Sequence, residues 1–195
     1  APRRTRDSSR YDLAILVNPS EEEPPSNAKA LKAFEKAAEA RGFDVEFVDK
    51  SDYGHLAEFD ALFIRETTAV NHHTYRFARR AAREGLVVID DPESILRCSN
   101  KVFLAQLMAR HRIATPKTML IHSRNLSEAA SQLGFPCVLK QPDSAFSRGV
   151  IKVDSAGSFR RAALDMLERS DLIVAQAFEP TDYDWRVGVI GGKAF

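Results

Sequence analysis

Cysteine is scarce in this sequence. Cys98 and Cys137 are the two present in 195 residues, too few for a disulfide framework, and with no signal peptide the simplest compartment is a reducing cytosol, a cytoplasmic location. Long hydrophobic runs are missing too: nothing approaches the roughly twenty apolar residues of a membrane helix. Charge of one sign is also lacking. Lys and Arg total 28 against 27 Asp and Glu, a net charge of +1, so composition gives no mandate for nucleic acid or for an anionic membrane surface as partner. There is no internal repeat, and no low-complexity tract beyond the loop "EEEPPS". What remains is a 44% hydrophobic chain, enough for one large or two small globular domains. An initiator Met is absent and "GGKAF" ends the chain in what reads as a strand, so a piece of a longer protein is expected.

Residues 1–10, "APRRTRDSSR", are charged and without periodicity and read as a solvated linker or tail. From Tyr11 the pattern changes. "DLAILVN" is a short buried strand, Ser26 or Asn27 can cap a helix with Leu31, Phe34 and Ala38 on one face, and Gly42 stops it. "FDVEFVD", "DALFIRE" and "LVVID" are further strands, with a helix from His72 to Glu84 before the last. This βαβ rhythm implies a parallel sheet with helices on its faces over residues 11–91.

Pro92 is taken as the boundary to a second region, 92–195. It holds a helix from about Asn100 to His111, a strand near "KTMLI", and a helix opened by Asn125 with Glu128 as a capping-box-like pair and closed by Gly134. A hairpin over 137–153 follows, then a helix carrying Phe159, Ala163, Met166 and Leu167, the strand "DLIVAQAF", and "DWRVGVIGGKAF". This half is α+β with antiparallel hairpins, and two regions of different sheet logic are expected to leave a cleft.

One residue is out of place in that hairpin. Lys140 closes the apolar run Cys137, Val138, Leu139, where an ammonium group pays desolvation unless an anion meets it. The small residues Ser144, Ala145, Ser147 and Gly149 beside it let backbone N–H groups approach such an anion, and phosphate suits both demands. Lys101, in the first turn of its helix, also sits where N-terminal N–H groups favour an anion. On spacing alone, a lysine that snorkels to solvent from an edge strand is the simpler reading.

Three segments, "SNKVFLAQLMARHRIATPKT", "LGFPCVLKQPDSAFSRGV" and "LIVAQAFEPTDYDWRVGVIGGKAF", occur in that order and together resemble the first part of an ATP-grasp ligase. RimK-like glutamate ligases and glutathione synthetases are the nearest relatives by this resemblance. It covers about Asp91 to Phe195, while residues 11–91 resemble the pre-ATP-grasp domain, a Rossmann-like parallel-sheet domain of the α/β class. The implied fold is that domain followed by the first α+β subdomain of an ATP-grasp module.

The resemblance implies that Lys101 and Lys140 meet the phosphates of ATP, that residues 144–149, with Ser144, Ser147 and Gly149, cover them, and that Gln176, Ala177 and Phe178 line the adenine. Main-chain groups of Ala177 and Phe178 would read its edge, so Ala177 is tolerable where relatives often carry an acid. Asp184 would hold the ribose and Arg186 would face the acyl phosphate or acceptor as the catalytic residue. Arg65 and Thr67, in "IRETT" at residues 64–68, would touch substrate, although a strand-end turn explains them as well. The loop departs from the family: it has one glycine and a bulky "FSR" where many relatives have several glycines.

The implied chemistry is phosphorylation of a carboxylate by MgATP and attack of an amine on the acyl phosphate. Glutamate added to a peptide or protein is one instance, and an amino acid is another acceptor. Such transfer rests on positioning and charge neutralisation rather than on a nucleophile. The Mg²⁺ ligands of relatives lie in the later part of the module, so they are expected beyond Phe195, and residues 1–195 alone are expected to be inactive. A nucleotide-binding or protein-interaction module without catalysis, suggested by the glycine-poor loop, is the alternative, and self-association into a homo-oligomer is left open.

Other features are ordinary on this reading. His72 and His73 are adjacent, hence on different faces of a helix and poor co-ligands, so no metal site is assigned. Arg76, Arg79, Arg80 and Arg83 share a helix face, solvated by default, with docking of an acidic substrate as the alternative. Cys98 is read as structural.

Overall fold

Four short apolar segments of the first half pair side by side, all parallel. They are β1 (Tyr11–Leu16), β2 (Phe43–Val48), β3 (Ala61–Ile64) and β4 (Val87–Ile89), in the order β2-β1-β3-β4. The computed structural model describes residues 11–143 and 149–195, and the chain divides into two compact units, 1–103 and 104–195.

In the first unit, α1 (Ala28–Glu39) starts where Asn27 Oδ1 accepts from Ala30 N–H at 2.9 Å. Its Phe34 ring stands edge-on to Phe63 at 5.0 Å. The helix α2 (His73–Arg83) buries Thr74, Phe77, Ala78 and Ala81. Phe77, Ala78 and Ala81 join Ala14, Leu16, Val48, Leu62 and Ile64 of the strands in one core. Burial of this kind, on the order of 1.5–3 kcal/mol per large apolar side chain, is what holds the sheet and helices together.

Two elements differ from the sequence reading. A 3₁₀ segment, Lys50–Glu58, fills a stretch read as a connection; Asp49 and Asp52 cap it reciprocally, and Leu56 enters the core. Pro92 opens a helix, α3 (Pro92–Ser99), instead of marking a break. Asp91 accepts from Glu93 and Ser94 N–H to cap it, and its Ile95 packs into the first core. Proline is at home in the first helical turn because the N–H it lacks has no partner there. The first unit accordingly runs on to Phe103.

The helix α4 (Lys101–Arg110) leads into the second unit, which holds β5 (Thr118–Ile121), α5 (Leu126–Leu133), β6 (Cys137–Lys140), β7 (Val150–Val153), α6 (Ala156–Leu167) and β8 (Ile173–Ala177). Its strands form an antiparallel sheet ordered β5-β8-β6-β7. Alternation along each strand sorts the side chains. Ile121, Cys137, Leu139, Val153, Ile173 and Ala175 meet Leu126, Ala129, Phe159, Ala163 and Met166 of α5 and α6 in a second core. The register leaves Thr118 and Leu120, Val174 and Gln176, Val138 and Lys140, and Val150 and Lys152 on the opposite face.

The capping box expected at Asn125 does not form. Its Nδ2 donates to Leu120 O and its Oδ1 accepts from His122 N–H, while Glu128 accepts from Gln132. Competition from the preceding turn takes the side chain. The chain closes with a separate two-stranded ribbon, β9 (Val189–Ile190) and β10 (Lys193–Ala194). Residues 181–188 are not a strand.

Candidate functional site

The sheet face turned away from α5 and α6 carries a polar chain of contacts. Lys140 Nζ donates to Gln176 Oε1 at 2.7 Å, Gln176 Nε2 donates to Thr118 Oγ1 at 2.9 Å, and that hydroxyl donates to Pro116 O at 2.7 Å. The last two bonds fix which way the amide points, so its oxygen faces the ammonium. Burial lowers the Lys140 pKa from its ordinary value. Among the described residues no carboxylate pairs with this ammonium; its partner is a neutral amide. Lys152, which the sequence reading passed over, projects from β7 on the same face, opposite Val138. Its Nζ lies 4.1 Å from the centroid of the Phe178 ring and 4.0 Å from Asp154 Oδ1. The criterion that singled out Lys140, a lysine inside an apolar strand, applies equally to "VIKV". Two cationic groups, a fixed amide and an aromatic ring thus border one surface, an arrangement suited to an anion attached to a flat ring.

Other sequence-predicted residues fare differently. Ser144 and Ser147 lie outside the described residues. Gly149 has φ 66° and its carbonyl accepts from Gln141 N–H at 2.8 Å, closing the base of the β6–β7 connection. The N–H groups of Ala177 and Phe178 donate to Lys117 O and Pro136 O, which leaves only carbonyl oxygens of these residues for reading a base edge. At Lys101, two of the helix-start N–H groups invoked for an anion, those of Val102 and Phe103, donate to Asn100 Oδ1 at 3.0 Å each.

The segment with Asp184 and Arg186 departs furthest from expectation. Both side chains are exposed, and Thr181 Oγ1 lies 3.5 Å from Asp184 Oδ1. Trp185 is 82% and Val187 65% exposed, so these apolar side chains do not pack inward. The cause is that β9 and β10 pair only with each other, and no ladder holds residues 182–187 to a core among the described residues. Gly188 and Phe195 exchange backbone hydrogen bonds, and a Cβ at Gly188 would overlap the Phe195 ring.

In the first unit, two nitrogens of the Arg65 guanidinium donate within the protein itself. Its Nε donates to Ser26 Oγ at 2.8 Å and an Nη to Pro25 O at 2.9 Å, with the guanidinium 5.1 Å and 5.4 Å from the Phe63 and Phe34 ring centroids. Thr67 N–H donates to the Glu21 carboxylate at 3.1 Å. The strand-end turn describes both residues as they stand here.

Between them, Glu66 is buried and its Oε2 lies 2.7 Å from His73 Nε2. The contact is close but not aligned as a hydrogen bond: neither Glu66 oxygen nor His73 Nε2 has a hydrogen-bond partner. The His72 and His73 rings stand 4.0 Å apart, so the two side chains are not set on different faces of a helix as expected. His72 is the extended N-cap residue, φ −104° and ψ 161°, so helical spacing does not separate it from His73. Burial pushes the Glu66 carboxyl up to about 7 and lowers both imidazoles. Arg76, Arg79, Arg80 and Arg83 line a cavity of about 610 Å³ with Tyr53 and Glu84. Arg80 donates to Tyr53 O and Gly54 O, so this face is more than a solvated surface.

Comparisons with known proteins bear on the whole chain. No protein-family model matches it. The alpha-aminoadipate–LysW ligase LysX of Saccharolobus solfataricus is 39% identical over 72 residues, 36% of this chain and 26% of that protein. A probable alpha-L-glutamate ligase of Parasynechococcus marenigrum is 27% identical over an alignment covering 99% of this chain and 44% of that protein. The chain therefore spans less than half the length of these curated relatives. A RimK domain ATP-grasp protein of Sphaerobacter thermophilus superposes with a TM-score of 0.70 at 18% identity, over 87% of this chain and 64% of that one.

Proposed function

We propose that this chain, which has the ATP-grasp fold and is similar in sequence to RimK-like ligases, binds ATP at the face of its second sheet turned away from α5 and α6 and belongs to an ATP-dependent carboxylate–amine ligase. The observation that carries the reading is the half-buried ammonium of Lys140, met among the described residues by a neutral amide and no carboxylate, on a face that also presents Lys152. A polyphosphate supplies the missing counter-charge, so the residues fit this ligand. ATP supplies the γ-phosphoryl group that converts a carboxylate into an acyl phosphate, which an amine then converts into an amide with loss of phosphate.

In this reading Lys140 and Lys152 neutralise phosphate oxygens, Gln176 aims Lys140, and the ring of Phe178 lies against the base. Residues 144–149 cover the phosphates. Asp184 holds the ribose hydroxyls, and Arg186 meets charge on the transferred phosphoryl or acyl group. The Mg²⁺ site does not fit the residues at hand. Among the described residues the grouping of His, Cys, Asp and Glu close enough to share an ion is Glu66, His72 and His73, not a group on the second sheet. Residues 1–195 alone are expected not to turn over. The same observation favours the second reading, a nucleotide-binding module without catalysis.

The acid is an amino acid such as glutamate and the acceptor an amine of an amino acid, peptide or protein, following the relatives' names. The test is product analysis with the whole protein. ADP and phosphate should form only when acid and amine are both present; release of AMP and pyrophosphate, or turnover without the amine, contradicts this chemistry.

A further inference from the structure

The strand-end turn after β3 and the start of α2 bring together three side chains that the nucleotide reading does not use. We infer that Glu66, His72 and His73 form a binding site for a divalent transition-metal ion of the Zn²⁺ class. Each offers one donor atom, and all three donors lie within 4.8 Å of one another. Two imidazoles and one carboxylate are a donor set that suits zinc and its neighbours better than Mg²⁺ or Ca²⁺, which prefer all-oxygen shells.

The independent observation is Glu66. Its side chain is 1% exposed, yet among the described residues both oxygens lack a hydrogen-bond partner, as does His73 Nε2 facing it at 2.7 Å. A buried carboxylate left so is costly, and a cation bound by these lone pairs removes that cost. The surroundings are built in the same sense. The fully buried Thr74 places its hydroxyl 3.1 Å from His72 Nδ1 and 3.5 Å from Thr67 O, an outer contact of the kind that orients metal-bound imidazoles. The acids Glu21 and Asp49 act electrostatically on Glu66, and Lys50 opposes them. Three protein donors leave a coordination position open. The His73 side chain is 15% exposed, and the remaining position suits a water or an oxygen donor of an incoming molecule.

The proposal is independent of nucleotide binding, and its test uses no nucleotide. Wild-type protein is titrated with Zn²⁺ while the imidazole NMR resonances are followed, and with Co²⁺ while its visible spectrum is followed. The His72 and His73 resonances should shift, saturating at one equivalent, and a Co²⁺ spectrum of low coordination number should appear. Glu66→Gln and His73→Gln should weaken the affinity about 10-fold or more, whereas His55→Ala, at an exposed histidine paired with Glu58, should leave it unchanged. Imidazole resonances that do not move with Zn²⁺ in the wild type overturn the site, whatever the stability of the variants. So does Co²⁺ binding that is equal in the wild type, Glu66→Gln and His73→Gln.

Discussion

Lys140 and Gln176 meet diagonally across β6 and β8, Nζ to Oε1 at 2.7 Å, while Lys140 lies directly opposite Val174 and Gln176 opposite Val138. Diagonal neighbours on one sheet face are within reach of long side chains, so a lysine inside an apolar strand is held in place by the adjacent strand.

The first expectation concerns that pair. Gln176→Leu takes the acceptor from Lys140 and the donor from Thr118, and should lower stability to urea by about 1–3 kcal/mol. Adding Lys140→Met should return part of the loss, because no half-buried ammonium is then left without its acceptor. Strictly additive losses would show that the two side chains are not coupled.

The second concerns pH. Burial lowers the Lys140 pKa in the folded chain below the ordinary 10.5, so the folded state binds this proton less tightly than the unfolded state. The burial cost is in full force below the folded pKa. It is relieved as pH rises from the folded to the unfolded value, and stability from this group increases across that window. The pH dependence of Lys140 acylation, followed by mass spectrometry, should give an apparent pKa below 10.5; a value at or above it contradicts the assignment.

The third separates structure from substrate at Arg65. Its fork to Ser26 and Pro25, stacked near Phe34 and Phe63, cannot be reproduced by an ammonium group. Arg65→Lys should therefore destabilise the protein by about 1–3 kcal/mol in urea unfolding. Unchanged stability with a raised KM for the acid would make it a substrate residue instead.

Much of the architecture was legible because it rests on short-range pattern. The apolar or alternating segments of β1 to β4, the period of α2, and the apolar run of β6 all announce themselves. What escaped depends on context. "KSDYGHLAE" has no helical apolar period, yet Asp49 and Asp52 cap it into a 3₁₀ segment. Pro92 looks like a stop but suits a helix start, and Asn125 is claimed by the preceding turn. His72 seemed barred from His73 by helical geometry that begins one residue later. Residues 182–188 alternate as a strand would, but alternation does not supply a ladder partner. Of the nucleotide residues, Lys140, Gln176 and Phe178 come together with Lys152 on one sheet face or beside it, whereas Asp184 and Arg186 are exposed on an irregular segment.

The fourth expectation distinguishes Asp184 from Arg186 in the whole protein. Asp184→Ala should chiefly raise the KM for ATP, because a ribose is bound throughout the reaction. Arg186→Lys keeps the charge but loses the planar fork and should chiefly lower kcat. Normal turnover of Arg186→Lys with only a raised KM for ATP would move Arg186 into the nucleotide site.

The central claim is that the face of the second sheet turned away from α5 and α6 binds ATP through Lys140. Calorimetric titration of the wild-type chain and of Lys140→Met with ATP tests it most directly, alongside urea unfolding to confirm that both are folded. The account predicts weak but measurable binding that falls about tenfold or more in the variant, as loss of a charge-assisted contact worth about 1.5–3 kcal/mol requires. Equal ATP affinity in the two folded proteins would contradict it.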